Sequence, residues 1–118
     1  MAKFLFVLTR GPEDPTRAVR CFQLAKIAAD KSHDVTVFLV DDAVYFTNLS
    51  LSERIKAPTG DELMDYWRFL VDKGARMLVC KPCAETRLVS EDDLPPGLKI
   101  GTGVTLIDLA AESQVFTF

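Results

Sequence analysis

Two cysteines spaced by two residues, Cys80 and Cys83, are the side chains in this sequence best suited to covalent chemistry. They follow directly on the apolar segment Met77-Leu78-Val79 and lead through Lys81-Pro82 into Ala84-Glu85-Thr86-Arg87, a run of good helix formers. That order predicts a buried strand delivering a thiol to the end of a sheet, with a helix starting beside it. A helix amino terminus carries roughly half a positive charge and unpaired N–H groups, and both favour a thiolate over a thiol. Lowering a cysteine pKa from about 8.5 to about 7 lifts the thiolate fraction at neutral pH from a few per cent to about half. The helix start, Lys81 and either Arg10 or Arg87 are the expected sources of such a shift. Burial beside Val79 and Phe46 would oppose it.

The rest of the chain reads as the scaffold for those sulfurs. Residues 3–9 form an apolar run ended by Gly11-Pro12, as expected of a strand covered on both faces. Asp14 and Pro15 suit the cap and first position of a helix, and from Thr16 to Lys31 the residues Ala18, Val19, Phe22, Ala25 and Ala29 recur at helical spacing. Val35 to Val40 is a β-branched run ended by Asp41-Asp42, so strand, helix and strand make a right-handed βαβ unit. Ala43 to Pro58 is irregular, and its Tyr45, Phe46, Leu49 and Leu51 suggest a cover over the strand ends or a subunit contact. Thr59-Gly60-Asp61-Glu62 has the spacing of a capping box before a helix that ends at Gly74. Ala75 to Val79 is the third strand, with Cys80 at its carboxyl end. Pro82 opens a short helix to about Leu88, Ser90 is a further cap, Leu98 to Ile100 is a fourth strand, and Gly101-Thr102-Gly103 turns into a helix over 104–112. Gln114 to Phe118 closes as a fifth strand.

Five strands alternating with helices predict a three-layer α/β/α sandwich with a mostly or wholly parallel sheet; strand order is left open. Binding crevices in such sheets lie outside the carboxyl ends of the strands. Four loops meet there: Arg10 to Pro15, Asp41 onward, Cys80 to Pro82, and Gly101 to Gly103. Arg10, Asp41 and Asp42 would shape the mouth around Cys80, although all three also fit as ordinary strand-end residues.

At 118 residues the chain fits one domain spanning residues 1–118, large enough to fold without a disulfide or metal. A net charge of −3 and the lack of any Lys/Arg cluster argue against nucleic acid as a partner. Three cysteines is an odd number, which fits free thiols in a reducing compartment better than a disulfide framework. The short apolar run near Met1 is unlike a signal-peptide core or a membrane span, so a cytoplasmic protein is expected. Cys21 and Trp67 read as core residues and His33, the only histidine, as a solvated turn residue. A single Cys-x-x-Cys offers two ligands with no second pair, so no metal site is expected. Gly101-Thr102-Gly103 lacks the third glycine of a dinucleotide fingerprint, so no cofactor is expected either.

Val79-Cys80-Lys81-Pro82-Cys83-Ala84-Glu85-Thr86-Arg87, followed by an acidic run, resembles the cysteine loop of the DsrE/DsrF-like (YchN-like) proteins. The Thr9-Arg10-Gly11-Pro12 turn and the Asp41-Asp42-Ala43-Val44 segment resemble the same family. The resemblance implies a flavodoxin-like α/β fold, a homo-oligomer (trimer or hexamer), and a sulfur-relay role with persulfide carried on Cys80. It further implies a protein that gives or takes the sulfur. Cys83 matches a second cysteine found in some members only. The glycine usual after the arginine is Leu88 here, so the turn beyond the third helix is expected to differ. Two other functions fit the residues: a dithiol redox module using Cys80 and Cys83, and a non-enzymatic binding protein in which the cysteines merely pack.

Overall fold

The computed structural model describes all 118 residues. Its strands are β1 (Lys3–Leu8), β2 (Asp34–Leu39), β3 (Arg76–Cys80), β4 (Leu98–Gly101) and β5 (Gln114–Thr117), and they form one parallel sheet in the order β4-β3-β2-β1-β5. The helices are α1 (Pro15–Asp30), α2 (Leu49–Ser52), α3 (Leu63–Asp72), α4 (Lys81–Thr86) and α5 (Gly103–Ala111), with 3-10 turns over Asp41–Thr47 and Glu91–Asp93.

The order of the strands decides where the helices go. From β1 to β4 the chain steps across the sheet in one direction, so three right-handed crossovers place α1, α3 and α4 on one face. The crossover from β4 to β5 runs back the other way, and the same handedness sends α5 to the opposite face. Packing follows this division. Phe6, Leu8, Val37, Leu39, Met77 and Val79 meet Phe22, Trp67 and Leu70 in the larger core, with the Phe22 and Trp67 rings stacked at 5.4 Å. Leu5, Val7 and Phe38 meet Leu109 in a smaller core on the α5 side. Five strands span about 19 Å, whereas one helix is about 10 Å wide, so the second face is only partly covered.

The segment between β2 and α3 is not a loose cover. Asn48 caps α2, and Ser52, fully buried, donates to the Phe46 carbonyl at 2.6 Å. Thr47 likewise donates to the Val44 carbonyl at 2.8 Å, so Val44 and Phe46 are held in the core. Tyr45 alone of the predicted apolar cover is exposed. The expected capping box does not form: α3 starts at Leu63 after Glu62, which makes no side-chain cap, and the Thr59 hydroxyl turns to Asp61 instead. Asp61 also accepts from Tyr66 at 2.9 Å and pairs with Arg20 at 3.3 Å, tying the α3 entry to α1. His33 is not simply solvated; its Nδ1 accepts from the Ala2 amide at 3.0 Å and its ring lies edge-on to Phe4.

Candidate functional site

The site begins with the strand register. Cys80 is the last residue of β3 and lies opposite Gly101, the last residue of β4. After Cys80 the chain turns toward the α4 face; after Gly101 it turns toward the α5 face. Adjacent strands whose chains diverge in this way open a crevice at their carboxyl ends, and β3/β4 is where it happens in this sheet. Gly101 keeps the floor narrow: a Cβ there would sit 2.9 Å from the ring of Phe38.

The two sulfurs straddle the rim. Cys80, like Val40, Leu78 and Leu106, packs against the smaller core on the α5 side, and Cys83 packs at the edge of the larger core. Both are half-buried free thiols. Cys83 Sγ lies 3.7 Å from the Asp41 carboxylate, and Asp41 holds a left-handed backbone (φ 52°) to present it. Asp42 faces Arg87, whose Nε donates to the Asp42 carboxylate at 3.0 Å and whose Nη1 donates to the Cys83 carbonyl at 3.3 Å. Arg87 thereby joins the end of β2 to α4, and the pairing holds its guanidinium pKa above the ordinary value.

The approach of the β1 loop completes the arrangement. Gly11 is buried against the Asp42 backbone, where a Cβ would fall 2.5 Å from the carbonyl oxygen. Its amide is gripped by the Glu13 carboxylate at 2.6 Å. Neither Gly11 nor Gly101 carries chemistry; from the sequence both read only as turn residues near the ends of strands.

The expected activation of Cys80 is not found. Burial pushes its thiol up to about 11, the adjacent Cys83 thiol and the Asp41 charge add to the rise, and the Cys83 amide offsets only part of it. None of the cations named as sources of a lower pKa is among the causes of the shift. Arg10 is exposed and its charge acts on Asp14; Lys81 is exposed without an ion pair; Arg87 is taken by Asp42. A six-residue helix supplies too little dipole to overcome the desolvation. Cys80, Cys83, Asp41, Asp42 and Arg87 therefore come together, while Arg10 and Lys81 stay outside the cluster. Cys21, deep in α1, has its thiol raised by burial and is inert.

The turn after α4 keeps its shape without glycine. The Leu88 amide donates to the Glu85 carbonyl and the Val89 amide to the Ala84 carbonyl at 2.9 Å, which is a Schellman ending with Leu88 at the left-handed position (φ 58°). Leu88 is 93% exposed. Beside it a cleft of about 390 Å³ is lined by Tyr45, Asn48, Arg87, Ser90 and Asp93. A larger cleft of about 440 Å³, lined by His33, Asp34, Lys73 and Arg76, lies at the amino ends of the strands, away from both rim thiols. No three His, Cys, Asp or Glu side chains are grouped as a metal site would need.

An all-parallel α/β protein with a thiol pair at the divergence of two strands is the class that the fold and this site define. A model of the DsrE/DsrF-like family matches residues 2–118, and the chain belongs to that family. It is similar to the ychN protein of E. coli, whose crystal structure superposes with a TM-score of 0.83 at 25% identity, all of both chains being covered. It is 31% identical to the uncharacterized protein MJ0989 of Methanocaldococcus jannaschii, over 98% of this chain and 99% of that one. The uncharacterized protein MK0008 of Methanopyrus kandleri is 27% identical over 95% of this chain and 89% of its own. No helix is long and apolar enough to cross a membrane.

Proposed function

We propose that this protein, read as one domain, carries sulfane sulfur as a persulfide on Cys80. The observation that supports this reading best is a half-open thiol at the β3/β4 divergence, with a second thiol beside it and no metal-ligand set to occupy either. In the step proposed, the Cys80 sulfur attacks the outer sulfur of a donor protein's persulfide. One S–S bond forms, the donor's S–S bond breaks, and the donor leaves as its thiol with the proton that Cys80 gives up. Transfer onward is the same exchange in reverse. A thiol held near pKa 11 is almost wholly protonated at neutral pH, which protects it from stray oxidation and makes the donor's leaving thiolate the natural acceptor of its proton.

Cys83 is the resolving or regulating thiol of the pair, and its contact with Asp41 gives a specific ground for a second reading, a dithiol redox module. Mass spectrometry separates the two. After treatment with a low-molecular-weight persulfide, a carrier gains one sulfur atom on Cys80, removed by cyanide and lost in Cys80→Ser. A redox module instead loses two hydrogens reversibly and requires both cysteines. Unreactivity of both thiols in the native protein would leave only a binding role. Assembly as a homo-oligomer, trimer or hexamer, fits the outward stripe of α5, where Val104 and Ile107 are 73% and 68% exposed beside the partly covered face that carries Cys80. A reducing, cytoplasmic setting suits free thiols.

A further inference from the structure

Asp41 and Asp42 are neighbours in sequence but serve different partners. Asp42 holds Arg87, whereas Asp41 stands outside every ion pair of the chain and has the Cys83 thiol as its one side-chain hydrogen-bond partner. To meet that thiol the Asp41 backbone takes the left-handed conformation, a strained choice for a residue with a Cβ. Cys83 is held from its own side as well. Its carbonyl accepts from Thr86 Oγ1 at 3.1 Å and from Arg87 at 3.3 Å, which pins the first turn of α4. Cys80 stands at the N-cap of that helix and Cys83 is its third residue. Side chains three positions apart share a helical face, with Cβ atoms roughly 5–6 Å from each other. The Cys83 thiol accordingly lies beside the Cys80 sulfur, and a pair so placed closes to a disulfide with little backbone movement.

We infer that Cys83 attacks the inner sulfur of a persulfide on Cys80 while Asp41 takes the Cys83 proton, so that the chain discharges its load as hydrogen sulfide when no acceptor protein collects it. The inference rests on the persulfide reading above and adds a second fate for the bound sulfur. The bond between Cys83 Sγ and Cys80 Sγ forms, and the bond from Cys80 Sγ to the outer sulfur breaks. The outer sulfur leaves as hydrosulfide, keeping its own hydrogen and the electron pair of the broken bond. Asp41 then passes the Cys83 proton to it, and hydrogen sulfide departs. The outer sulfur is thereby reduced by two electrons, and the two cysteines are oxidised by two, to a disulfide. The inner sulfur is the target because it is Cys80 Sγ itself, which Cys83 already neighbours. A dithiol reductant, exchanging with the disulfide, resets the pair.

The test loads the full chain with glutathione persulfide, desalts it without oxygen, and follows its mass together with the free sulfide that a bimane reagent traps. Loaded wild type should pass from one added sulfur to two hydrogens below the reduced mass, with one sulfide per chain. The rate should not depend on protein concentration, because the attacking thiol is built in. Cys83→Ser should keep the added sulfur about tenfold longer or more. Asp41→Asn should slow the release about tenfold or more, although it should quicken alkylation of the unloaded Cys80. A carboxylate acting through its charge alone would move both rates the same way. Wild type that gains the sulfur but keeps it as long as Cys83→Ser does overturns this inference and leaves the persulfide reading standing. So does an Asp41→Asn chain that releases sulfide as fast as wild type, or a release rate that climbs with protein concentration. If neither wild type nor Cys83→Ser ever gains the sulfur, the persulfide reading falls and this inference with it.

Discussion

Cys83 aims its sulfur at the Asp41 carboxylate, 3.7 Å away, from the opposite side of the rim to Cys80. The carboxylate adds its charge to the burial that disfavours an anion on Cys80, so Cys80 rests as a thiol.

Removing Cys83 should therefore quicken Cys80. Burial is the largest cause of the raised Cys80 pKa and remains in Cys83→Ala, but the Cys83 thiol, the next cause, is gone while the backbone amide that favours the anion stays. Alkylation of Cys80 at pH 8 is expected to be faster in Cys83→Ala than in the wild type. Asp41→Asn should act in the same direction and more weakly, since the charge contributes least. A slower Cys80 in both variants would show that the pair activates rather than restrains it.

Stability should fall in alkaline solution. Cys80 ionises at about 11 in the folded chain against about 9 in the unfolded one, so the folded state holds its proton more tightly. The stabilisation is complete below pH 9 and is lost as pH rises toward 11. Cys21 is shifted the same way by burial. Urea midpoints between pH 8 and 11 should decline, and Cys80→Ser should flatten part of that slope.

Gly101→Ala should cost about 1–3 kcal/mol, because the new methyl meets the Phe38 ring at 2.9 Å inside the smaller core. Gly11→Ala meets a backbone carbonyl at 2.5 Å, which yields less readily, so its cost should be the larger. It should also loosen Asp41 from Cys83, seen as faster Cys80 alkylation. Denaturant titration with and without labelling checks both.

Leu88→Gly should stabilise the chain by about 0.5–1 kcal/mol. Relief of the left-handed backbone outweighs the greater freedom of the unfolded glycine, and an exposed leucine side chain loses little packing. A fall in the thermal midpoint would assign the side chain a contact that the fold does not otherwise reveal.

Local patterns carried much of this structure. The apolar runs 3–9, 35–40 and 75–79 and the helical spacing of Ala18, Phe22 and Ala25 became strands and a helix where expected, and Cys80 stands at the rim as its place after Val79 implies. Asp41, Asp42 and Arg87 also reached the site. What stayed hidden depended on long-range placement. Thr59 chose Asp61 over its cap role because Arg20 and Tyr66 converge there. The raised Cys80 pKa follows from how much of the sulfur is covered, and neither Arg10 nor Lys81 is among its causes, Arg10 acting on Asp14 instead. Strand order, and with it the unequal covering of the sheet's faces, appears only when β5 is seen beside β1.

Because the backbones leaving Cys80 and Gly101 part company at once, the segments on either side can lengthen or change independently. A descendant of this chain could recut the opening for a different sulfur partner by altering either segment, with neither hydrophobic layer disturbed.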